Sequence, residues 1–219
     1  MAFPLTHLLV AERILETYPS TELFVLGSIA PDAVHYRKNL LEASQSGIGP
    51  AKKITHLCPI SDQKWGYVTD NEGWIECVRL FLRQNNSPLA TGYAVHVLTD
   101  IFNNKGIWRD FCDNYPKEAA KGYKSNYYRD MRNVDLRLYH EKFKNSRGRE
   151  MLQNATAQDM PGLISKDELW ALKNNLLSVQ YVDAPEDVNT DNCFYVTYEQ
   201  TLKFINDAAA FCIEIIRRT

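Results

Sequence analysis

Apolar residues recur at helical spacing along most of the chain, and this pattern predicts a mostly helical protein. Leu5, Leu8, Leu9, Ile14 and Leu15 predict a first helix over 4–17, with Pro4 suited to its opening turn. A short apolar segment over 21–29 stops near Pro31. Trp74, Cys77, Val78, Leu80, Phe81 and Leu82 predict a helix over about 70–84. Ser87-Pro88 pairs an N-cap with a proline at the first helical position and opens a helix over about 88–103. Residues 117–143 read as one long, tyrosine-rich, basic helical stretch. Ser165 with Glu168 three residues later is a capping-box signature for a helix over 166–180, and a last helix is expected over about 197–217. Between these lie two weakly patterned stretches. Residues 33–69, with Gly47, Gly49, Pro50, Pro59 and Gly66, read as a long functional loop with short helical pieces, and residues 181–196 read as a loop. Val179 to Val182 and Cys193 to Val196 are candidate short strands that are not expected to form. No repeat, low-complexity segment or linker interrupts the pattern, so the expectation is one all-α domain spanning 1–219.

Composition narrows the function classes. The 219 residues are 45% hydrophobic and 24% charged, enough for one well-buried domain of ordinary type. A formal charge of −2 gives no reason to expect strong non-specific nucleic-acid binding. Five cysteines (Cys58, Cys77, Cys112, Cys193, Cys212) are scattered, odd in number and without a C-x-x-C pair. That suits a reducing compartment better than a disulfide framework and makes cysteine a poor candidate ligand. The start of the chain lacks a basic run followed by an apolar core, and no run of ~18 apolar residues occurs, so a cytoplasmic location is expected.

The chemistry sits with the five histidines. His96 and Asp100 are spaced H-x-x-x-D within the apolar stretch Gly92-Tyr-Ala-Val-His96-Val-Leu-Thr-Asp100. Residues four apart share a helix face, so imidazole and carboxylate can meet one cation. A carboxylate among apolar neighbours is costly to bury unless it is paired or bound to metal. A lone histidine on an apolar face is more often a satisfied core residue, and the pair could equally be a plain hydrogen bond. The order of His7, Asp32, His56, His96 and Asp100, placed where helices begin and end, carries more than any one of them.

That order resembles the zinc-dependent phospholipase C family, whose fold is shared with the single-strand-specific zinc nucleases. The matching blocks fall within about residues 3–104: Pro4-Leu-Thr-His7-Leu-Leu-Val-Ala11, Leu26-Gly-Ser-Ile-Ala-Pro-Asp32, Ile54-Thr-His56-Leu, and Gly92 to Asp100. The resemblance implies an all-α, phospholipase C/zinc nuclease-like helical bundle. It also implies that Asp32, His56, His96 and Asp100 hold one zinc, while His7 joins Asp100 at a neighbouring ion. The secreted relatives hold three zincs through an N-terminal tryptophan and a second H-x-x-x-D/E block. Here the chain begins Met1-Ala2, and His140 is followed four residues later by Lys144. One or two ions is therefore the expected count. His35, three residues past Asp32, would complete a second ion or support a ligand from behind. His140, on the tyrosine-rich stretch, reads as structural.

A zinc site with an open position brings the pKa of bound water to about 7, and two ions can share a phosphoryl oxygen. The expected activity is phosphoester hydrolysis by metal-bound hydroxide, with Asp32 as ligand and candidate base and zinc leading over other divalent metals. The expected partner is a phosphoester small molecule or phospholipid head group, with nucleic acid less favoured. The basic residues over 117–149 would attract an anionic substrate, although interleaved acids make a solvated mixed-charge helix the commoner reading. Two alternatives stand: a nuclease or nucleotidase on the same fold, and a non-catalytic metal-stabilised binding protein.

Overall fold

The computed structural model describes residues 3–38, 48–59 and 66–219. It is all-α, and its one β-type pairing among these residues is an isolated bridge between Met160 and Ile164. In chain order the helices are α1 (Pro4–Leu15), α2 (Glu22–Gly27), a 3-10 helix (Ala30–Tyr36), α3 (Ile48–Thr55), α4 (Asn71–Gln84), α5 (Pro88–Lys105), α6 (Ile107–Asn114), α7 (Pro116–Ala119), α8 (Asn126–Leu138), α9 (Arg147–Asn154), α10 (Lys166–Ser178) and α11 (Tyr198–Arg217). None of the described helices is long and apolar enough to cross a membrane.

The start signals act as their side-chain chemistry dictates. Ser87 Oγ accepts from the Ala90 amide at 3.2 Å, and Pro88 costs no hydrogen bond at the first helical position. Ser165 and Glu168 form a reciprocal capping box, and Thr197 with Gln200 forms another that opens α11. Glu168 does a second job: Arg37, at the end of the 3-10 helix, donates to both of its oxygens at 2.7 and 3.2 Å.

Helix α5 is the axis of the fold. From Leu89 to Asn104 it is buried almost all round, which places it in the middle of the core. Around it pack α1, α2, α4 and α11. The crossing with α2 is unusually close. A Cβ on Gly92 would fall on the Phe24 carbonyl oxygen, and one on Gly27 would fall on the Leu89 carbonyl oxygen. The two glycines thus let backbone meet backbone. The 3-10 helix that follows α2 packs against α3 and α10.

Several expectations change. The single helix over 117–143 is broken: α7 ends at Ala119, Gly122 opens a 3-10 turn with φ +56°, α8 starts at Asn126, and a π-helical turn covers Tyr139–Phe143. A positive φ costs glycine little, which is why the break falls there. Two helices fall outside the expected set, α6 and α9, both short. Within 33–69 the described residues carry short helical pieces, the end of the 3-10 helix and α3, as expected, and 39–47 and 60–65 lie outside the described residues. Residues 181–196 carry no regular helix or strand. The mixed-charge reading of α8 also needs correcting. Asp130 and Asp135 are buried, and Tyr127 and Tyr128 belong to an aromatic cluster with Trp108 and Phe111.

Candidate metal centre

Five sequence-singled residues meet at the middle of α5. His96 and Asp100 come from α5 itself, His7 from α1, Asp32 from the 3-10 helix, and His56 from the residue just after α3. His7, His56, His96 and Asp100 are all 3% exposed or less.

Two imidazoles are aimed by the backbone. His96 Nδ1–H donates to the Ser28 carbonyl at 2.8 Å, and His56 Nδ1–H donates to the Lys52 carbonyl at 2.9 Å. A carbonyl can only accept, so in each ring the proton sits on Nδ1. The two Nε2 lone pairs then point inward and lie 3.3 Å apart. Carboxylate oxygens complete the ring. His56 Nε2 is 3.4 Å from Asp32 Oδ1 and 3.6 Å from Asp100 Oδ2, and His96 Nε2 is 4.0 Å from an oxygen of each. Ligand atoms that share one ion at ~2.0–2.2 Å sit about 3–4 Å apart, the range seen here. Further bonds fix the elements behind the ring: Trp74 donates from Nε1 to the His56 carbonyl at 2.8 Å, and Tyr93 donates to the Thr55 carbonyl.

Protonation favours ligand behaviour. Burial pulls His56 down to about 4, only partly opposed by the Asp32 carboxylate beside it, which favours the protonated ring. Burial, then the neighbouring His96, takes His7 well below its ordinary value. For Asp32, burial pushes upward, but the Lys52 ammonium 2.8 Å away, with the His56 and His96 imidazoles beside it, holds it well below the usual carboxylate range. The donors whose protonation is perturbed are thus neutral imidazoles and an ionised carboxylate near neutral pH, the forms that bind metal.

His7 stands apart from the other two histidines. Its ring stacks flat on His96, with centroids 3.7 Å apart and planes 9° from parallel. Its Nε2 is 3.6 Å from Asp100 Oδ1, beyond hydrogen-bond reach. Both of its ring nitrogens are buried without a hydrogen-bond partner in the structure. Leaving such groups unsatisfied costs about 1–3 kcal/mol each. That deficit fits a site that takes up a cation. Two overlapping sets have ligand atoms close enough to share an ion: His7, Asp32 and His96, and His56, His96 and Asp100. These buried histidine and aspartate groups could hold a metal ion.

His35 lies at the rim. It is 39% exposed, with Nε2 3.7 Å from Asp32 Oδ1 and 3.2 Å from Lys52 Nζ. Burial, then the charge of Lys52, lowers its pKa. His140 belongs to neither of these ligand sets and lines a surface cleft of about 550 Å³ with Arg137, Glu141 and Thr190.

The sequence reading missed Lys52. Its ammonium is 2.8 Å from Asp32 Oδ1, with the side chain only 6% exposed. The available signal was its position: Lys52 precedes His56 by four residues, one helical turn, the same spacing that singled out His96 and Asp100. No family model, curated protein or solved structure matches the chain.

Proposed function

We propose that the protein is a metal-dependent phosphoester hydrolase of the phospholipase C type, with zinc as the resident metal. The observation that carries the reading is the pair of inward-facing Nε2 lone pairs of His56 and His96, 3.3 Å apart. Each is fixed by a backbone carbonyl behind it and flanked by the oxygens of Asp32 and Asp100. Lone pairs and carboxylates packed this closely in a buried space repel one another unless a cation lies among them. Asp32, His56, His96 and Asp100 would hold the ion, and His7 with Asp100 would hold a second if one binds. A nitrogen–oxygen donor set suits zinc, and a divalent ion there supplies Lewis acidity and a water of lowered pKa.

The chain's own residues then have defined tasks. The Ser28 and Lys52 carbonyls keep the two rings in the ligand tautomer. Asp32 is the least buried of the four, at 16% exposure, and an oxygen of its carboxylate could orient a water toward a substrate entering from that side. The apolar walls from α5 and α1 exclude bulk solvent from the rest of the cluster.

One observation favours a second reading. All the other candidate ligands are almost fully buried, as in a closed site that stabilises a binding protein. Elemental analysis of purified protein, followed by a panel of phosphodiesters and phosphomonoesters with and without chelator, separates the two. The hydrolase reading expects one to two equivalents of zinc and turnover that chelator abolishes. Zinc-replete protein inactive on phospholipids, nucleotides and single-stranded nucleic acid would leave the binding protein.

A further inference from the structure

We infer that the cleft between α6 and α11 is a binding site for a small organic ammonium ion, an alkylated amine held against aromatic faces. The site is separate from the metal centre, since none of its lining residues is a candidate ligand there. Three observations carry the inference: an open cavity walled by aromatic rings, a backbone that holds two of those rings in the open, and a carboxylate without a cation.

The cavity has a volume of about 490 Å³, within the range of small-molecule sites. It lies where the end of α5 and α6 face the first turns of α11, with residues 194 and 195 along one side. Phe111, Tyr115, Phe194 and Tyr195 supply its aromatic lining. The planes of Tyr115, Phe194 and Tyr195 stand at 76°, 89° and 90° to one another, with centroids 5.0 to 5.9 Å apart. A ring face is the electron-rich side of an aromatic group, and it attracts an organic cation within ~6 Å of the centroid.

Placement is the second observation. Phe194 is 66% and Tyr115 39% exposed, although large aromatic side chains are mostly buried. Neither backbone is free to fold its ring away. The Phe194 and Tyr195 amides both donate to Asp130 Oδ2, at 2.8 and 2.9 Å, and that carboxylate is fully buried. The Tyr115 amide donates to the Phe111 carbonyl at 2.9 Å, and Pro116 follows it at the start of α7. The rings are thus positioned before a ligand arrives, which lowers the ordering cost of binding.

Charge selects the ligand. Asp110, Lys203 and Asp207 line the cavity. Lys203 donates to Asp207 one turn along α11, so those two charges cancel. Asp110 has no ion-pair partner among the described residues. A neutral apolar guest would use the rings and leave Asp110 idle. An anion would meet both the ring faces and the carboxylate with the wrong sign. An ammonium ion answers both, and alkyl groups on its nitrogen reduce the hydration that a bare lysine-type ammonium must give up.

The test is a ligand-observed NMR titration of the full chain with tetramethylammonium and with 2,2-dimethylpropan-1-ol, a neutral molecule of similar size. Both titrations are repeated on Tyr115→Leu, Phe194→Leu and Asp110→Asn, all at exposed positions, with circular dichroism to check the fold. Wild type should bind tetramethylammonium at least ~10-fold more tightly than the alcohol. Each leucine variant should weaken the ammonium by ~3-fold or more and leave the alcohol within ~2-fold. Asp110→Asn should weaken the ammonium alone, by ~3-fold, because the carboxylate is exposed. A chelator should change none of these values. A wild type without saturable ammonium binding overturns the inference, and so does one that binds the alcohol equally well. Unchanged ammonium affinity in the folded leucine variants overturns it too, as does ammonium binding that chelator removes. If one variant fails to fold, the other and the wild-type comparison of ammonium with alcohol still decide.

Discussion

Two buried groups of aspartates can be compared directly, one around α5 and one on α8. Asp130 and Asp135 are as buried as Asp100. Asp130 is met by donors: the amides of Phe194 and Tyr195 bond its Oδ2 at 2.8 and 2.9 Å, and Arg129 bonds its Oδ1. Asp135 is met by one strong donor, the Tyr181 hydroxyl at 2.6 Å, and burial lifts its pKa to about 7. In the cluster at α5, Asp32 is met by the Lys52 ammonium at 2.8 Å, and both Asp32 and Asp100 are also faced by imidazole nitrogens whose lone pairs point at them. Burial of a carboxylate is thus handled in three ways within one chain: by fixed N–H groups, by retaining a proton, and by a ring of electron-pair donors. Only the last leaves a space that a cation would stabilise, so burial of an acid is by itself no sign of a metal site.

The comparison breaks most sharply on His96. His96→Ala should lower metal affinity by roughly 100-fold or more, since it removes a ligand outright. Elemental analysis after gel filtration reads this, and unchanged metal content would place the ion elsewhere or nowhere. Asp130→Ala should behave in the opposite sense. It should cost about 2–3 kcal/mol in denaturant unfolding, from bonds to a charged acceptor, yet leave metal content alone. Metal loss in that variant would couple two regions that are described here as independent.

A smaller effect concerns pH. Asp135 has its folded pKa raised to about 7 from an ordinary 3.8. Between those values the folded state holds a proton that the unfolded state has released. Stability should therefore be full below about pH 4, decline as pH rises, and level off above about 7, by at most about 4 kcal/mol. Asp135→Asn keeps an acceptor for Tyr181 without the charge. It should flatten this slope and stabilise the protein at pH 8 by about 1 kcal/mol. Thermal melts at pH 5 and pH 8 check it, and a wild type equally stable at both would show that Asp135 ionises normally.

How much of this was legible in the sequence follows the range of the interactions. Helix starts were readable because a cap is local: Ser87-Pro88 and Ser165 with Glu168 act within one turn. The all-α class followed from periodicity for the same reason. The break at Gly122 was missed because tyrosine and basic residues on either side keep a helical rhythm, while one glycine with φ +56° reverses the chain. Asp130 and Asp135 read as solvated because their partners, near residues 181–195, are more than 45 residues away. The five candidate ligands were legible as a set, and the structure brings them together. Lys52 was not, because a lysine in a weakly patterned stretch reads as surface. Its burial depends on Asp32, which α2 and the 3-10 helix carry to it.

The contact between Gly27 and Gly92 has a meaning for anyone wishing to rebuild this centre. The Ser28 carbonyl and the His96 ring belong to different helices, and their 2.8 Å bond exists because those helices touch backbone to backbone. Ligands can be exchanged one at a time, and a designer would start there. The tolerance of the whole arrangement, however, is set one helical turn from the ring by the absence of two methyl groups. A library that spares His96 but opens Gly92 would lose the aim of the ring before it tested any new chemistry.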